Sequence, residues 1–320
     1  MMDISQTQFS LLILLVALCA PTIFIIVKRR EANLMRLNRE LREARLQLEK
    51  NHRDLERLDK AKSDFISIAS HELRTPLTVI KGYTEMLLDD PHLDPNIRVV
   101  MKGIHEGTVR LHEVMESMFD IAQIDARSLR PHLQSVELGR LIREICVEQA
   151  DTLRERNHSL VVDIPSLPHL SADPNLLRKL FLHLVRNAIK FTPNNGQISI
   201  TGSNLPPIVG LPNGGIEIII SDTGIGVHAD HHEVIFSKFF QTGELGKHST
   251  SRTRFKGGGA GLGLALAKGI IEVHGGHIYV ESPGYDEVNL PGSQFHVILP
   301  LSAPDAGEER KMGQAIKFGE

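Results

Sequence analysis

The chain has 320 residues, 41% of them hydrophobic, with a formal net charge of −3. That length predicts about two domains plus linking segments, the apolar fraction is enough for a real core, and the near-neutral charge gives no reason to expect nucleic acid as a partner. Two cysteines, Cys19 and Cys146, are too few for a disulfide framework or a metal quartet, which places the body of the chain in a reducing compartment.

Residues 9–27 carry no charge and end against Lys28-Arg29-Arg30. As a helix this run reaches about 28 Å, roughly one hydrocarbon core. The basic cluster predicts a single-pass transmembrane anchor in the cell membrane, with residues 1–8 outside and the rest of the chain in the cytoplasm. A cleaved signal peptide and a lipoprotein-type Cys19 compete with this reading. The lack of a basic residue before the run, and Leu18 ahead of the cysteine, favour the anchor.

Residues 28–60 keep a heptad. Leu34, Leu41, Leu48 and Leu55 share one position, and Leu37, Ala44, Asn51 and Leu58 fall three residues later, as in a parallel two-stranded coiled coil. The helix is expected to run on past His71 and to kink at Pro76, which lacks a backbone donor. After a loop at 89–95 a second helix carries Ile97, Val100, Ile104, Leu111, Val114, Met118, Ile121 and Ile124 on its apolar side. Two antiparallel helices cannot bury these faces alone. Residues 61–128 are therefore expected to form a dimeric four-helix bundle with a second copy.

From residue 131 to 302 the pattern changes. Helices over 137–156 and 174–190 alternate with β-type runs at 159–164, 197–201, 216–221, 277–280 and 295–299. This predicts a two-layer α/β sandwich with helices on one face of a mixed sheet. Residues 303–320 read as a disordered tail.

Four motifs lie on this frame: Ser70-His71-Glu72-Leu73-Arg74-Thr75-Pro76, Arg186-Asn187-Ala188-Ile189-Lys190-Phe191-Thr192, Asp222-Thr223-Gly224-Ile225-Gly226, and Gly257-Gly258-Gly259-Ala260-Gly261-Leu262-Gly263-Leu264. A neutral imidazole is a usable nucleophile near neutral pH. An amide oxygen suits a hard cation such as Mg²⁺. A glycine-rich loop that opens a helix offers N–H groups to phosphates.

In order and spacing the motifs resemble those of sensor histidine kinases, over about residues 60–302. The resemblance implies a HisKA-type hairpin and an ATP-binding domain of the gyrase and histidine kinase type. It implies His71 as phospho-acceptor, Glu72 as base and orienter, and Thr75 as the residue that positions water for dephosphorylation of the partner. Asn187 would hold Mg²⁺ and Lys190 would face phosphate, with Phe191 beside them in the same helix. Asp222, Gly224 and Gly226 would bind adenine, and Gly258, Gly259, Gly261, Leu262 and Gly263 the phosphates. The implied cofactors are ATP and Mg²⁺. The implied partners are a second copy and the receiver domain of a response regulator. Phe236, Phe239 and Phe240 are similar to the aromatic group that anchors the lid.

One departure stands out: His183 occupies the position, four residues before Asn187, where the family usually carries a second Asn. Two alternatives remain, a related clamp ATPase and a degenerate ATP-binding scaffold. His228, Asp230, His231 and His232 form a cluster for which a solvated loop is preferred over a metal site.

Overall fold

The computed structural model describes residues 6–126, 128–207, 211–241 and 260–302, with side chains described for all of these except 6–27, 32, 54, 56–60, 62–65, 67, 70 and 71. It divides into two compact units, 1–62 and 63–320.

The first unit is helical. Helix α1 spans Gln6–Leu88. The described heptad leucines Leu34, Leu37, Leu41, Leu48 and Leu55 are all exposed in the single chain. They run beside the surface ion pairs Arg36–Glu40 and Arg45–Glu49, both at 3.0 Å. The transmembrane span expected over 9–27 falls on helical residues whose side chains lie outside the described set. Among the described residues no helix is long and apolar enough to cross a membrane.

In the second unit α1 runs on through Pro76 to Leu88, so the residue where a kink was expected lies inside one continuous helix. On the next turn the Thr78 hydroxyl donates to the Arg74 carbonyl (2.8 Å). Helix α2, Pro95–Asp125, returns antiparallel. It starts where Asp94 accepts from the amides of Asn96 and Ile97 and Pro95 supplies a first residue with no amide to satisfy. Leu77 and Thr84 are buried between the helices, and Thr84 Oγ1 lies 3.1 Å from His105 Nδ1. Leu73, Ile80 and Leu87 on α1, with Val100, Ile104 and Leu111 on α2, stay exposed. One copy of the hairpin thus leaves a row of apolar side chains uncovered.

The remainder is a sandwich. Strand β1 (Gln134–Val136) pairs antiparallel with β3 (Leu170–Ala172). Strands β2 (Ser159–Asp163), β4 (Gln197–Leu205), β5 (Gly215–Asp222), β6 (His277–Glu281) and β7 (Ser293–Pro300) form a sheet of order β2-β4-β5-β7-β6. Only the β2–β4 pair is parallel. Helices α3 (Leu138–Glu148), α5 (Pro174–Phe191) and α6 (Gly263–Val273) supply the other layer, and the core lies between. On β5, Ile216, Ile218 and Ile220 point inward and are fully buried. Each such side chain is worth roughly 1.5–3 kcal/mol relative to exposure.

The helix expected over 137–156 is broken in two. Gln149 shares its amide between the Ile145 and Cys146 carbonyls, and a short α4 (Ala150–Glu155) follows. Strand β4 runs four residues beyond the expected 201 because its polar Gly202-Ser203-Asn204 is held by the ladder to β5, from Gly202↔Ile218 to Leu205↔Gly215. The β1–β3 pair was not anticipated. The residues expected as a disordered tail, 303–320, lie outside the described residues.

Candidate nucleotide and phospho-acceptor site

Helix α5 is the organising element. Its inner face, Leu177, Leu180, Phe181, Leu184, Val185, Ala188 and Ile189, is buried. His183, Arg186, Asn187 and Lys190 form a partly buried stripe along another face, as spacings of three and four residues dictate. Asp173 caps the start of α5, accepting from the amides of Asn175 (2.9 Å) and Leu176 (3.2 Å).

The C-terminal end of α5 is held by a residue that the sequence motifs did not single out. Arg156 is buried, and its guanidinium donates to the carbonyls of Ile189 and Thr192, both at 2.6 Å, and to Asn194 Oδ1 at 3.0 Å. A cation on the last carbonyls of a helix satisfies orphan acceptors and opposes the negative end of the dipole. This anchors the turn that carries Lys190 and Phe191. The Lys190 ammonium lies 4.6 Å from the centre of the Phe191 ring. Burial, and then the charge of Arg110 on α2, push its pKa down.

Asp222 ends β5 and is buried. Its Oδ1 accepts from the Gly224 amide (2.8 Å) and its Oδ2 from the Ser293 hydroxyl (2.5 Å). Burial raises its pKa against the lowering effect of these bonds. Ser293 is a second residue that the motifs missed, because it stands 71 residues away at the start of β7. Gly224 packs so closely on α5 that a Cβ there would lie 2.4 Å from the Phe191 carbonyl oxygen. Gly226 has φ +71°, and a Cβ on it would meet the Gly284 carbonyl at 2.0 Å, so no side chain fits that turn. An open cleft of about 400 Å³ borders Asp222, Ser293, Glu281 and Gln294 from the sheet side and includes no residue of α5.

Gly261, Leu262 and Gly263 lead into α6, and Leu262 is buried. A side chain built on Gly263 would come within 3.0 Å of His183 Nδ1. Helix α5 therefore touches both the start of α6, through His183, and the Asp222 turn, through Phe191. Gly258 and Gly259 lie outside the described residues. The three phenylalanines divide: Phe236 is buried edge-on against Phe295, Phe240 packs partly against the core, and Phe239 is exposed with φ +61°. The Phe239 amide donates to the Gly261 carbonyl (2.9 Å), tying together the two sides of the segment 242–259.

His183 has its pKa lowered to about 4, first by burial and then by the positive charges of Arg186 and Lys179. The side chain is partly buried, and its ring is neutral near pH 7.

The backbone of His71 is helical within α1, and its imidazole lies outside the described residues. Glu72 and Thr75 are exposed beside it. Arg74, from the same motif, pairs with Glu116 of α2 (2.6 Å) and lies 5.6 Å from the centre of the Phe119 ring. Also on α2, Glu113 meets Arg186 (3.3 Å), Asp120 meets Lys179 (2.5 Å), and Asp125 meets Lys238. The acceptor hairpin and α5 thus face each other through ion pairs. Among the described residues no group of three or more His, Cys, Asp or Glu is arranged to hold a metal ion, the 228–232 cluster included.

Comparison with known proteins agrees with this architecture. Residues 61–127 match the His Kinase A (phospho-acceptor) domain, and residues 172–303 match the histidine kinase-, DNA gyrase B- and HSP90-like ATPase domain. The chain is 31% identical over 273 residues to hybrid signal transduction histidine kinase D of Dictyostelium discoideum, covering 85% of this chain and 16% of that protein. It is 31% identical over 277 residues to the adaptive-response sensory kinase SasA of Crocosphaera subtropica, covering 84% and 66%. Full-length ShkA, solved in complex with AMPPNP, superposes with a TM-score of 0.59 at 25% identity, over 76% of this chain and 47% of that one. The chain spans well under half of the first relatives it matches, between 16% and 31% of their length. A phospho-acceptor hairpin followed by this ATPase domain makes the chain a member of the sensor histidine kinase family of two-component signalling.

Proposed function

We propose that the chain is a membrane-anchored, homodimeric histidine kinase that transfers the γ-phosphoryl group of ATP to His71 and then to an aspartate of a response-regulator receiver domain. Thr75 would serve the reverse, dephosphorylating activity on the same partner. The observation that carries the reading is the reach of α5. The helix that carries Asn187 and Lys190 meets the start of α6 at His183 and the Asp222 turn at Phe191, in one compact unit with the hairpin that bears His71.

The residues divide the work by chemistry. Asp222, its carboxylate fixed by Ser293 and Gly224, presents a buried acceptor for the exocyclic amine of adenine. Lys190, partly desolvated, faces a polyanion at the favourable end of its charge balance. The start of α6 offers backbone amides to phosphate oxygens. The amide oxygen of Asn187, in the partly buried stripe of α5, suits Mg²⁺, which when bound would neutralise phosphate charge. Glu72, next to the acceptor histidine, accepts the proton from the imidazole nitrogen that does not attack and holds the ring's tautomer. Transfer breaks the Pγ–O bond to ADP and forms an N–P bond.

The exposed apolar rows on the hairpin and on the heptad leucines support a parallel dimer, since both need a partner to leave water. The uncharged run 9–27 before Lys28-Arg29-Arg30 supports the anchor.

The test is incubation of the purified full-length chain, in mild detergent, with γ-labelled ATP and Mg²⁺. An acid-labile, base-stable label on the wild type, lost in His71→Gln and in Asn187→Ala, is the expected result. Tight ATP binding with no label on the wild type would leave a non-catalytic scaffold.

A further inference from the structure

The outer face of the five-stranded sheet carries side chains that the nucleotide reading does not use. Ile216, Ile218 and Ile220 of β5 point into the core, so Glu217, Ile219 and Ser221 point the other way. Cross-strand partners share a face: Ser221 stands in a row with Gln294 and Glu281, and Ile219 in a row with His296 and Tyr279. The first row lines the cleft of about 400 Å³, whose lining includes the carboxylates of Asp222 and Glu281 and no Lys, Arg or His. In the second row His296 is only 7% exposed, its ring stacked on Tyr279 with centroids 4.4 Å apart. Its Nδ1 lies 3.0 Å from Glu217 Oε1, and because a carboxylate only accepts, that nitrogen carries a proton. Its Nε2 is shut off from solvent with no hydrogen-bond partner. The nearest carboxylate oxygen, Glu281 Oε2, is 3.7 Å away, too far for a hydrogen bond. With a neutral ring, two acceptors confront each other; with a charged ring, one positive charge meets two carboxylates. In both states a positively charged donor is missing. Burial, and then the charges of Glu217 and Glu281, raise the Tyr279 pKa, so both carboxylates act on this one place.

We propose that this cleft is a binding site for a small organic cation, a guanidinium or primary ammonium compound, whose N–H groups bridge His296 Nε2 and the Glu281 carboxylate. One donor about 2.9 Å from each acceptor spans that gap. A guanidinium adds a planar fork of further donors, for which the hydroxyl of Ser221 and the amide oxygen of Gln294 are acceptors in the lining. Glu281 has 64% of its side chain exposed, so it can swing aside to admit the donor. A metal ion fits less well. Glu217 takes the other ring nitrogen, and among the described residues no three His, Cys, Asp or Glu are arranged to hold one. The site lies on the face of the sheet turned away from α5 and does not depend on the nucleotide reading.

The experiment titrates agmatine, which carries a guanidinium and an ammonium group, into the full-length chain in an uncharged detergent without nucleotide, followed by calorimetry. Saturable binding of one agmatine per chain is expected. Glu281→Gln keeps the size of an exposed side chain and removes its charge, and the affinity is expected to fall about tenfold or more, the scale of a charge-assisted hydrogen bond. His296→Phe keeps the stack on Tyr279 and removes Nε2, with a similar fall expected. Glu155→Gln, an exposed acid at the end of α4, is expected to bind as the wild type does. No saturable binding to the wild type at millimolar agmatine overturns the proposal. So does wild-type affinity in Glu281→Gln or in a folded His296→Phe, or an equal loss in Glu155→Gln, which would mark unspecific attraction to surface acids. Should His296→Phe fail to fold, Glu281→Gln against Glu155→Gln decides.

Discussion

Lys179 of α5 reaches Asp120 of α2 at 2.5 Å, and the carboxylate it meets is almost wholly buried, with 8% of its side chain exposed against 39% for the lysine. This pair, with Arg186–Glu113 and Lys238–Asp125, joins the ATP-binding half to the acceptor hairpin. Between the same halves Ile124 packs where a side chain on Gly269 of α6 would sit. Burial raises the Asp120 pKa despite the lysine, so the carboxylate depends on its partner. Lys179→Met strands it and is expected to cost about 1–3 kcal/mol. The check is hydrogen exchange, in which residues 113–124 and α6 gain exchange while the β4–β5 ladder does not.

Buried histidines predict acid sensitivity. His274 is buried, its Nδ1–H donates to the Ile270 carbonyl (2.8 Å), and its Nε2 accepts from the Asp173 amide (3.0 Å). Protonation would destroy the acceptor, and burial lowers its pKa, as it does for His183 and His158. A depressed histidine pKa means that the unfolded chain takes up the proton first. The stability contribution is therefore complete above about pH 6.5 and is lost as pH falls toward the folded pKa, at a limiting slope of about 1.4 kcal/mol per pH unit for each group. Thermal unfolding between pH 8 and pH 5 is expected to show a falling Tm, with a shallower fall in His274→Gln.

Ser293→Ala removes the hydroxyl that donates to Asp222 Oδ2. A hydrogen bond to a charged group contributes about 1.5–3 kcal/mol. Since the same carboxylate is assigned to adenine, AMPPNP affinity by calorimetry is expected to fall tenfold or more. Unchanged affinity would show that the backbone amides of Gly224 and Ser293 position Asp222 without the hydroxyl.

Arg156→Met leaves the carbonyls of Ile189 and Thr192 without their donor in a buried place. A loss of at least about 2 kcal/mol is expected, seen in denaturant unfolding. Arg156→Lys is expected to recover only part of it, because one ammonium cannot span three acceptors as a planar guanidinium does.

The uncovered apolar row on the hairpin predicts the assembly. Ile80→Asp places a charge where Leu73, Ile80 and Leu87 lie exposed in one copy. Sedimentation is expected to show a shift from dimer to monomer, with label on His71 falling in parallel.

Local pattern was enough to reveal a good deal of the fold. The apolar face of α5 follows from Leu177, Leu180, Phe181 and Leu184, and the alternation of Ile216, Ile218 and Ile220 marks β5. The break at Gln149 carried no such mark, for no Gly or Pro stands there. The end of β4 was hidden because Gly202-Ser203-Asn204 looks like a loop until β5 pairs with it.

The sequence by itself determined the chemistry on offer: which residues are acceptors, amides, cations and glycines, and that they recur in the order of a histidine kinase. Spacing carries that much because neighbours on a helix or strand are set by its period. Only the tertiary structure decided that Ser293 serves Asp222, that Arg156 holds the end of α5, that Lys179 meets Asp120, and that His183 borders Gly263. Those partners lie 33 to 80 residues apart along the chain, and chain-distant contacts are selected by the packing of whole elements around a shared core, which no local period encodes.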